Sequence, residues 1–169
     1  MTVPYDARRS IASLVDQLAT LLPGRGETLA TAESCTGGLI AAACTERAGS
    51  SAWFERGFVT YSNAAKHESL GVDADLIERH GAVSEPVVAA MLDGTLGHSP
   101  ADWAIAVSGV AGPSGGSADK PVGTVFIGWR MRGAAPEVVR YQFEGNRDEV
   151  RSQSVVAALV GLRERIDAG

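Results

Sequence analysis

Three side chains able to act as nucleophiles follow one another in the stretch AESCTGG, residues 32–38: Ser34, Cys35 and Thr36. Each can attack an electrophilic carbon once a neighbouring base removes its proton. Ser34 follows a short apolar segment and precedes a predicted helix, so its hydroxyl could simply cap that helix. The same turn would also expose a nucleophilic serine at the sheet edge where open α/β folds bind ligands. Position alone leaves both interpretations open.

A nucleophilic serine needs a base, and the three histidines form no recognisable Ser–His–Asp pattern. Lysine is the next candidate because Ser–Lys pairs are a known variant. Lys66, one of only two lysines, follows Tyr61 at the next predicted strand-to-helix junction. If the strands are parallel, Tyr61 and Lys66 could converge on Ser34 at one edge of the sheet. The competing interpretation is a solvated lysine on a short helix.

A glycine-rich segment, SGVAGPSGGSADKPVG, covers residues 108–123. Glycines let the backbone approach a ligand and present N–H groups to a phosphate or an oxyanion. The segment satisfies neither the Walker pattern nor the Rossmann fingerprint. On glycine content alone it could also be a long surface loop without a ligand.

The elements that must position these residues alternate along the chain. Short apolar segments predict strands, and segments with helical periodicity or capping signals predict helices. The predicted strands cover 28–32, 58–61, 103–107, 124–129 and 138–143. The predicted helices cover 10–22, stopped by Pro23 and Gly24, then 36–45, a short helix capped by Asn63, 85–96 and 147–166. This order favours an α/β fold, a three-layer α/β/α sandwich with a mixed, mostly parallel sheet. We expect one domain over residues 1–169.

The composition excludes some classes of function. The net charge is −5, and no basic stripe with interleaved aromatic residues occurs, so we expect no nucleic-acid partner. The two cysteines, Cys35 and Cys44, have no zinc-ligand spacing, so no metal and no cofactor are expected. Free thiols and the lack of an apolar leader or membrane-length segment favour a cytoplasmic protein with no membrane partner. We also expect a homo-oligomer.

Six stretches together resemble the C-terminal domain family of the competence/damage-inducible protein CinA. They are TAESCTGG, GSSAWFERGFVTYSNAAK, GAVSEPVV, SGVAGPSGG, KPVGTVFIG and FEGNRDEVR, and the resemblance spans about residues 10–166. It implies a serine amidohydrolase that deamidates nicotinamide mononucleotide to nicotinate mononucleotide and ammonia. It also implies a catalytic set in which Ser34 matches the serine of A-E-S-C-T-G-G, while Tyr61 and Lys66 match Y-S-N-x-x-K.

A small nucleotide substrate needs a binding site for its phosphate and ribose. We expect that site in the glycine-rich segment, with contributions from the turn after Ser34 and from the start of the last helix. The residues are Thr36, Gly37, Gly109, Gly112, Gly115, Gly116, Thr124 and Arg147. For Thr124 and Arg147, strand packing and a helix cap or surface charge are the competing interpretations. A nucleotide-binding module without turnover and an amidase for another small amide remain the alternative functions.

Overall fold

A computed structural model describes residues 7–169. The described residues form five strands and six α-helices, together with a 3₁₀ turn over Ser50–Ala52. The strands are β1 (Leu29–Glu33), β2 (Phe54–Val59), β3 (Trp103–Gly109), β4 (Thr124–Met131) and β5 (Glu137–Gln142). The helices are α1 (Ala7–Arg25), α2 (Leu39–Glu46), α3 (Asn63–Leu70), α4 (Ala74–His80), α5 (Glu85–Gly97) and α6 (Arg147–Ala168).

All five strands belong to one mixed sheet with the order β2–β1–β3–β4–β5. β2, β1 and β3 are parallel, β4 is antiparallel to β3, and β5 is antiparallel to β4. The chain leaves β1 through α2 to reach β2 on one side of β1. It returns through α3, α4 and α5 to β3 on the other side. The carboxyl ends of β1 and β3 therefore form a topological switch point, where open α/β sheets bind ligands.

Helices cover both faces of the sheet because the central strands are buried on both sides. On β3, Ile105 and Val107 belong to the core shared with α1, α2 and α6. The intervening Ala104 and Ala106 belong to a second core shared with α3, α4 and α5. Successive side chains of a strand point to opposite faces, so this alternation divides the interior into two layers. The predicted three-layer α/β/α sandwich with a mixed sheet is confirmed, and β4 and β5 form an antiparallel hairpin at its end.

The prediction that Pro23 and Gly24 stop the first helix is wrong, because α1 continues to Arg25. The helix ends at Gly26, whose φ is +68°. There the Gly26 N–H donates to the Pro23 carbonyl and the Glu27 N–H donates to the Leu22 carbonyl. These two bonds form a Schellman motif, so the left-handed glycine ends the helix rather than the proline.

The prediction that the second helix begins at Thr36 is also wrong, because α2 begins at Leu39. Gly37 and Gly38 have φ values of +58° and +99°, which right-handed helix does not allow. Gly38 is therefore the N-cap residue of α2, and Ser34 does not cap this helix. Residues 34–38 form a turn between β1 and α2 instead.

β2, α3 and α4 also differ from the sequence predictions, but by less. β2 begins at Phe54, four residues earlier than predicted, and ends before Thr60 and Tyr61. The N-cap of α3 is Ser62, whose side chain accepts from the Ala65 N–H, rather than the predicted Asn63. Helix α4 was not predicted, although Asp73 caps its N-terminus with a hydrogen bond to the Asp75 N–H.

Candidate active site

Ser34 and Lys66 lie in direct contact at the carboxyl edge of the parallel strands. The Lys66 Nζ is 2.9 Å from the Ser34 Oγ and 2.8 Å from the Thr60 carbonyl oxygen, to which it donates. Ser34 follows β1 directly, and Lys66 is carried by α3, which follows β2. Glu33 and Val59, the last residues of β1 and β2, are partners in the parallel register. The sheet therefore brings together the serine and the lysine that the sequence predicted to converge.

Burial sets the electrostatics of this pair. Only 1% of Lys66 and 8% of Ser34 is exposed. Loss of hydration disfavours the charged ammonium and lowers the pKa of Lys66 below its ordinary 10.5, and the neighbouring Cys35 opposes this only partly. A lysine with a lowered pKa is a competent base for a hydroxyl within hydrogen-bond distance. The interpretation of Lys66 as a solvated surface lysine is wrong.

Glu33 fixes the turn that carries Ser34. Its carboxylate, 1% exposed, accepts from the Ile40 N–H at 2.8 Å and from the Ala41 N–H at 3.1 Å. A carboxylate at this position neutralises the positive end of the helix dipole and replaces the missing side-chain cap of Gly38. Glu33 therefore binds the Ile40 and Ala41 amides, and the Thr36 carbonyl binds that of Leu39, so none of the three is available for a substrate oxyanion.

Arg151 of α6 holds the same turn from outside. Its Nε donates to the Cys35 carbonyl at 3.1 Å, and its Nη2 donates to the Thr36 carbonyl at 3.3 Å. A Cβ on Gly37 would lie 3.3 Å from that Nη2, so glycine also leaves room for the guanidinium. The sequence analysis did not identify Arg151. It lies four residues after Arg147 on α6, and this spacing places both on one helix face.

The other two candidate nucleophiles of the turn have different surroundings. Cys35 is buried, and burial raises the pKa of its thiol to about 11, which makes it a poor nucleophile at neutral pH. Thr36 is completely buried. Among the described residues, its hydroxyl has no hydrogen-bond partner, and the same holds for the hydroxyls of Thr31 and Thr60. Such hydroxyls can hydrogen-bond a bound molecule or water.

Tyr61 does not contact the Ser34–Lys66 pair through a hydrogen bond. It is 61% exposed, and its hydroxyl accepts from the Arg147 Nη2 at 3.0 Å. The Arg147 Nη1 donates to the Gly112 carbonyl at 2.8 Å. Arg147 thus links the segment after β2 to the glycine-rich loop after β3. The N-cap of α6 is Asn146, so the interpretation of Arg147 as a cap is wrong.

The remaining predicted binding residues separate into two groups. Gly109 ends β3, where an added Cβ would meet Val125 at 2.7 Å, and Thr124 donates its hydroxyl to the Pro121 carbonyl. Contacts with nearby residues of the same protein account for the presence of Gly109 and Thr124 at these two positions. Gly115 and Gly116 are exposed and have φ values of +88° and +80°. They lie in the loop after β3, on the edge of the sheet where Ser34 is found.

A large cleft lies elsewhere. It has a volume of about 1100 Å³ between α1, α2 and α6, and neither Ser34 nor Lys66 lines it. Over residues 7–169, no helix is long and apolar enough to cross a membrane. Within the same range, no group of three or more histidine, cysteine and acidic side chains could hold a metal ion.

The fold and the site define a class of protein: an open α/β sheet with a buried serine–lysine pair at the carboxyl edge of its parallel strands. The chain belongs to the CinA C-terminal domain family, whose pattern matches residues 11–166.

Relatives and solved structures agree with this assignment. The chain is 50% identical over 152 residues to the nicotinamide-nucleotide amidohydrolase PncC of Escherichia coli K12, covering 90% of this chain and 92% of that protein. It is 53% identical over 154 residues to a CinA-like protein of Mycolicibacterium vanbaalenii, of which it spans 36%. A competence/damage-inducible protein CihA from Agrobacterium tumefaciens has a TM-score of 0.90 and 41% identity, with 99% of each chain covered.

Proposed function

We propose that this enzyme hydrolyses the carboxamide of nicotinamide mononucleotide to nicotinate mononucleotide and ammonia. The observation that carries the proposal is the buried hydrogen bond between the Ser34 Oγ and the Lys66 Nζ. The names of relatives that match nearly the full chain support the substrate class, since they are nicotinamide-nucleotide amidohydrolases.

In the proposed acylation step, neutral Lys66 accepts the Ser34 proton while the Ser34 Oγ attacks the carboxamide carbon. The C–N bond then breaks, and the amide nitrogen leaves as ammonia with the proton that came from Ser34. The products are ammonia and an ester between the nicotinoyl group and Ser34. Lys66 passes this proton to the leaving nitrogen by way of Tyr61, whose role rests on the family resemblance.

In the proposed deacylation step, water attacks the ester carbon while Lys66 accepts a proton from it. The ester C–O bond breaks, Ser34 recovers its proton from Lys66, and nicotinate mononucleotide leaves. The same base therefore serves both steps, as microscopic reversibility favours. Neither step requires a metal or a cofactor.

The nucleotide phosphate binds, in this proposal, between Arg147 and the glycine-rich loop. Arg147 supports this because its guanidinium already reaches across the edge of the sheet to the Gly112 carbonyl and the Tyr61 hydroxyl. A guanidinium can replace such neutral acceptors with a phosphate, which it binds more strongly through charge-assisted hydrogen bonds. Gly115 and Gly116 give the loop the backbone freedom to approach the ligand.

The proposal is tested by incubating the protein with nicotinamide mononucleotide and following ammonia and nicotinate mononucleotide. We expect turnover by the wild type and a loss of at least about 10³-fold in Ser34→Ala and Lys66→Met, as for other nucleophile–base pairs. Ser13→Ala, which removes an exposed hydroxyl on α1, is the matched control and should retain activity. Turnover that survives Ser34→Ala would contradict the nucleophile assignment. Binding of the nucleotide without turnover would favour a binding module.

A further inference from the structure

Lys66 changes its hydrogen-bonding requirement when it accepts the Ser34 proton. A neutral amine has two N–H donors and one lone pair, whereas the ammonium has three N–H donors. Within the described residues, the Lys66 Nζ has two hydrogen-bond partners, the Ser34 Oγ and the Thr60 carbonyl oxygen. Because Lys66 is buried, a donor without a partner costs free energy once the ammonium forms. The third N–H therefore needs an acceptor close to Nζ.

The Thr60 hydroxyl is a buried polar group beside that nitrogen. Thr60 is completely buried, and among residues 7–169 its Oγ1 has no hydrogen-bond partner. Buried polar groups are nearly always hydrogen-bonded, so such a hydroxyl needs an explanation. A hydroxyl oxygen has two lone pairs and can accept from an ammonium. The carbonyl of the same residue binds Nζ at 2.8 Å, which places the lysine nitrogen next to Thr60.

The sheet register places the Thr60 side chain on the same face as Ser34. The Thr60 N–H donates to the Glu33 carbonyl at 2.9 Å, so the ladder between β2 and β1 reaches Thr60. Side chains alternate between faces, so Thr60 lies on the face of Phe58, which packs against the core of α3, α4 and α5. Ser34 likewise lies two residues after Ala32, a member of that core. Thr60 and Ser34 are thus neighbours on the face that α3 covers.

We propose that the Thr60 hydroxyl accepts the third N–H of the Lys66 ammonium that forms when the lysine takes the Ser34 proton. This inference rests on the proposed function, in which Lys66 is the base. Thr60 acts through Lys66, so it is a positioning residue rather than a catalytic one. In the structure its Oγ1 is not bonded to Nζ, so the bond requires rotation of the threonine side chain between staggered conformers.

The other ionisable groups around Lys66 are few. Cys35, on the turn after β1, is the titratable neighbour that acts on the lysine, and burial raises the pKa of its thiol to about 11. Glu33 lies on the opposite face of the sheet, where its carboxylate binds the amides of α2. Tyr61 is exposed, and its hydroxyl accepts from Arg147. Every other charged side chain of α3, and every one of α4 and α5, is exposed.

Removal of the hydroxyl should lower the pKa of Lys66 further, because the ammonium loses an acceptor. In Thr60→Val, which keeps the shape of the side chain, we expect a fall of about one unit, as for loss of a hydrogen bond to a charged group. A weaker base makes kcat/KM lower than in the wild type at high pH, but the rise with pH begins about one unit earlier. Below both midpoints the variant should therefore match or exceed the wild type, which general structural damage would not produce.

The experiment uses the fact that the chain has only two lysines, Lys66 and Lys120. Lysine labelled with ¹³C at Cε gives two NMR signals, of which Lys66→Met removes one and so assigns both. Titration from pH 5 to pH 11 then measures the pKa of Lys66 without substrate, with Lys120 as the internal reference. The same variants are assayed for kcat/KM with nicotinamide mononucleotide, and substrate ionisations cancel because all variants share them.

The variants to compare are Thr60→Val, Thr60→Ser and Thr31→Val. Thr60→Ser keeps the hydroxyl and should keep the wild-type pKa of Lys66. Thr31→Val removes another buried hydroxyl that has no partner among the described residues, but this one faces Ala41 of α2. It is the matched control and should leave the pKa of Lys66 unchanged. Melting temperatures identify any variant that is not folded, and Thr60→Ala replaces Thr60→Val in that case.

Two outcomes would overturn the inference. One is an unchanged pKa of Lys66 in folded Thr60→Val. The other is an equal fall in Thr31→Val, because the effect would then follow from the loss of any core hydroxyl. Failure of the proposed function is seen separately, as a folded wild-type protein that releases no ammonia from nicotinamide mononucleotide. The NMR titration needs no turnover, so the two failures are distinguishable.

Discussion

The Ser34 Oγ and the Lys66 Nζ lie 2.9 Å apart, although 32 positions separate the two residues in the chain. Each side chain follows a different parallel strand, and the Thr60 carbonyl holds the lysine from the other side. A buried lysine bound to two neutral oxygens and to no carboxylate is poorly stabilised as an ammonium. In the proposed mechanism, this contact places the Ser34 hydroxyl proton beside the lysine nitrogen that accepts it.

The lowered pKa of Lys66 predicts how the rate depends on pH. Below that pKa the lysine is protonated and cannot accept the Ser34 proton, so kcat/KM should rise tenfold per pH unit and level off above it. The midpoint should lie below 10.5, the ordinary pKa of a lysine. The measurement is kcat/KM for nicotinamide mononucleotide from pH 5 to pH 10. A flat profile, or a midpoint at an ordinary lysine pKa, would rule out Lys66 as the base.

Glu33 should stabilise the fold and the active-site turn together. Glu33→Ala leaves two N–H groups of α2 without their acceptor, which should lower the free energy of unfolding by about 2–4 kcal/mol. Glu33→Gln keeps one acceptor oxygen, so it should lower the free energy of unfolding by about half as much. Urea denaturation measures both variants, and kcat should fall in the same order. Equal stability of Glu33→Ala and wild type would refute this role.

Arg147 should act through the phosphate of the substrate. A charge-assisted hydrogen bond contributes about 1.5–3 kcal/mol, so Arg147→Ala should raise KM for nicotinamide mononucleotide by about 10–100-fold. Nicotinamide riboside lacks the phosphate and provides the matched control, since its kcat/KM should change little. Steady-state assays with both substrates make the comparison. Equal losses for the two would place Arg147 outside the phosphate site.

Gly94 should be essential to the placement of Lys66 because it lets α3 approach α5. A Cβ at Gly94 would lie 2.0 Å from the Leu70 carbonyl oxygen, so Gly94→Ala must push the end of α3 away. We expect a loss of about 2–4 kcal/mol in unfolding free energy, as for severe overpacking, and a lower kcat. Gly97→Ala on the same helix meets nothing within 4 Å and is the control. Equal thermal stability of the two variants would contradict the close approach.

The sequence by itself determined much of the architecture and marked Ser34 and Lys66 as candidates for a catalytic pair. Alternating apolar strands and periodic helices were sufficient to predict the three-layer α/β/α sandwich, because burial on two faces leaves that pattern in the residues. The serine and the lysine could be paired because parallel strands bring their carboxyl ends to one edge. The motif AESCTGG marked the turn, although not its conformation.

Only the tertiary structure decided which groups support that pair. Whether Ser34 capped a helix depended on the φ values of Gly37 and Gly38, which glycine leaves open on both sides of zero. Glu33 and Arg151 act on the turn through contacts that span 7 and 116 positions, and local periodicity carries no information about such distances. The contact of Tyr61 with Arg147, across 86 positions, likewise depends on how the last helix packs against the sheet.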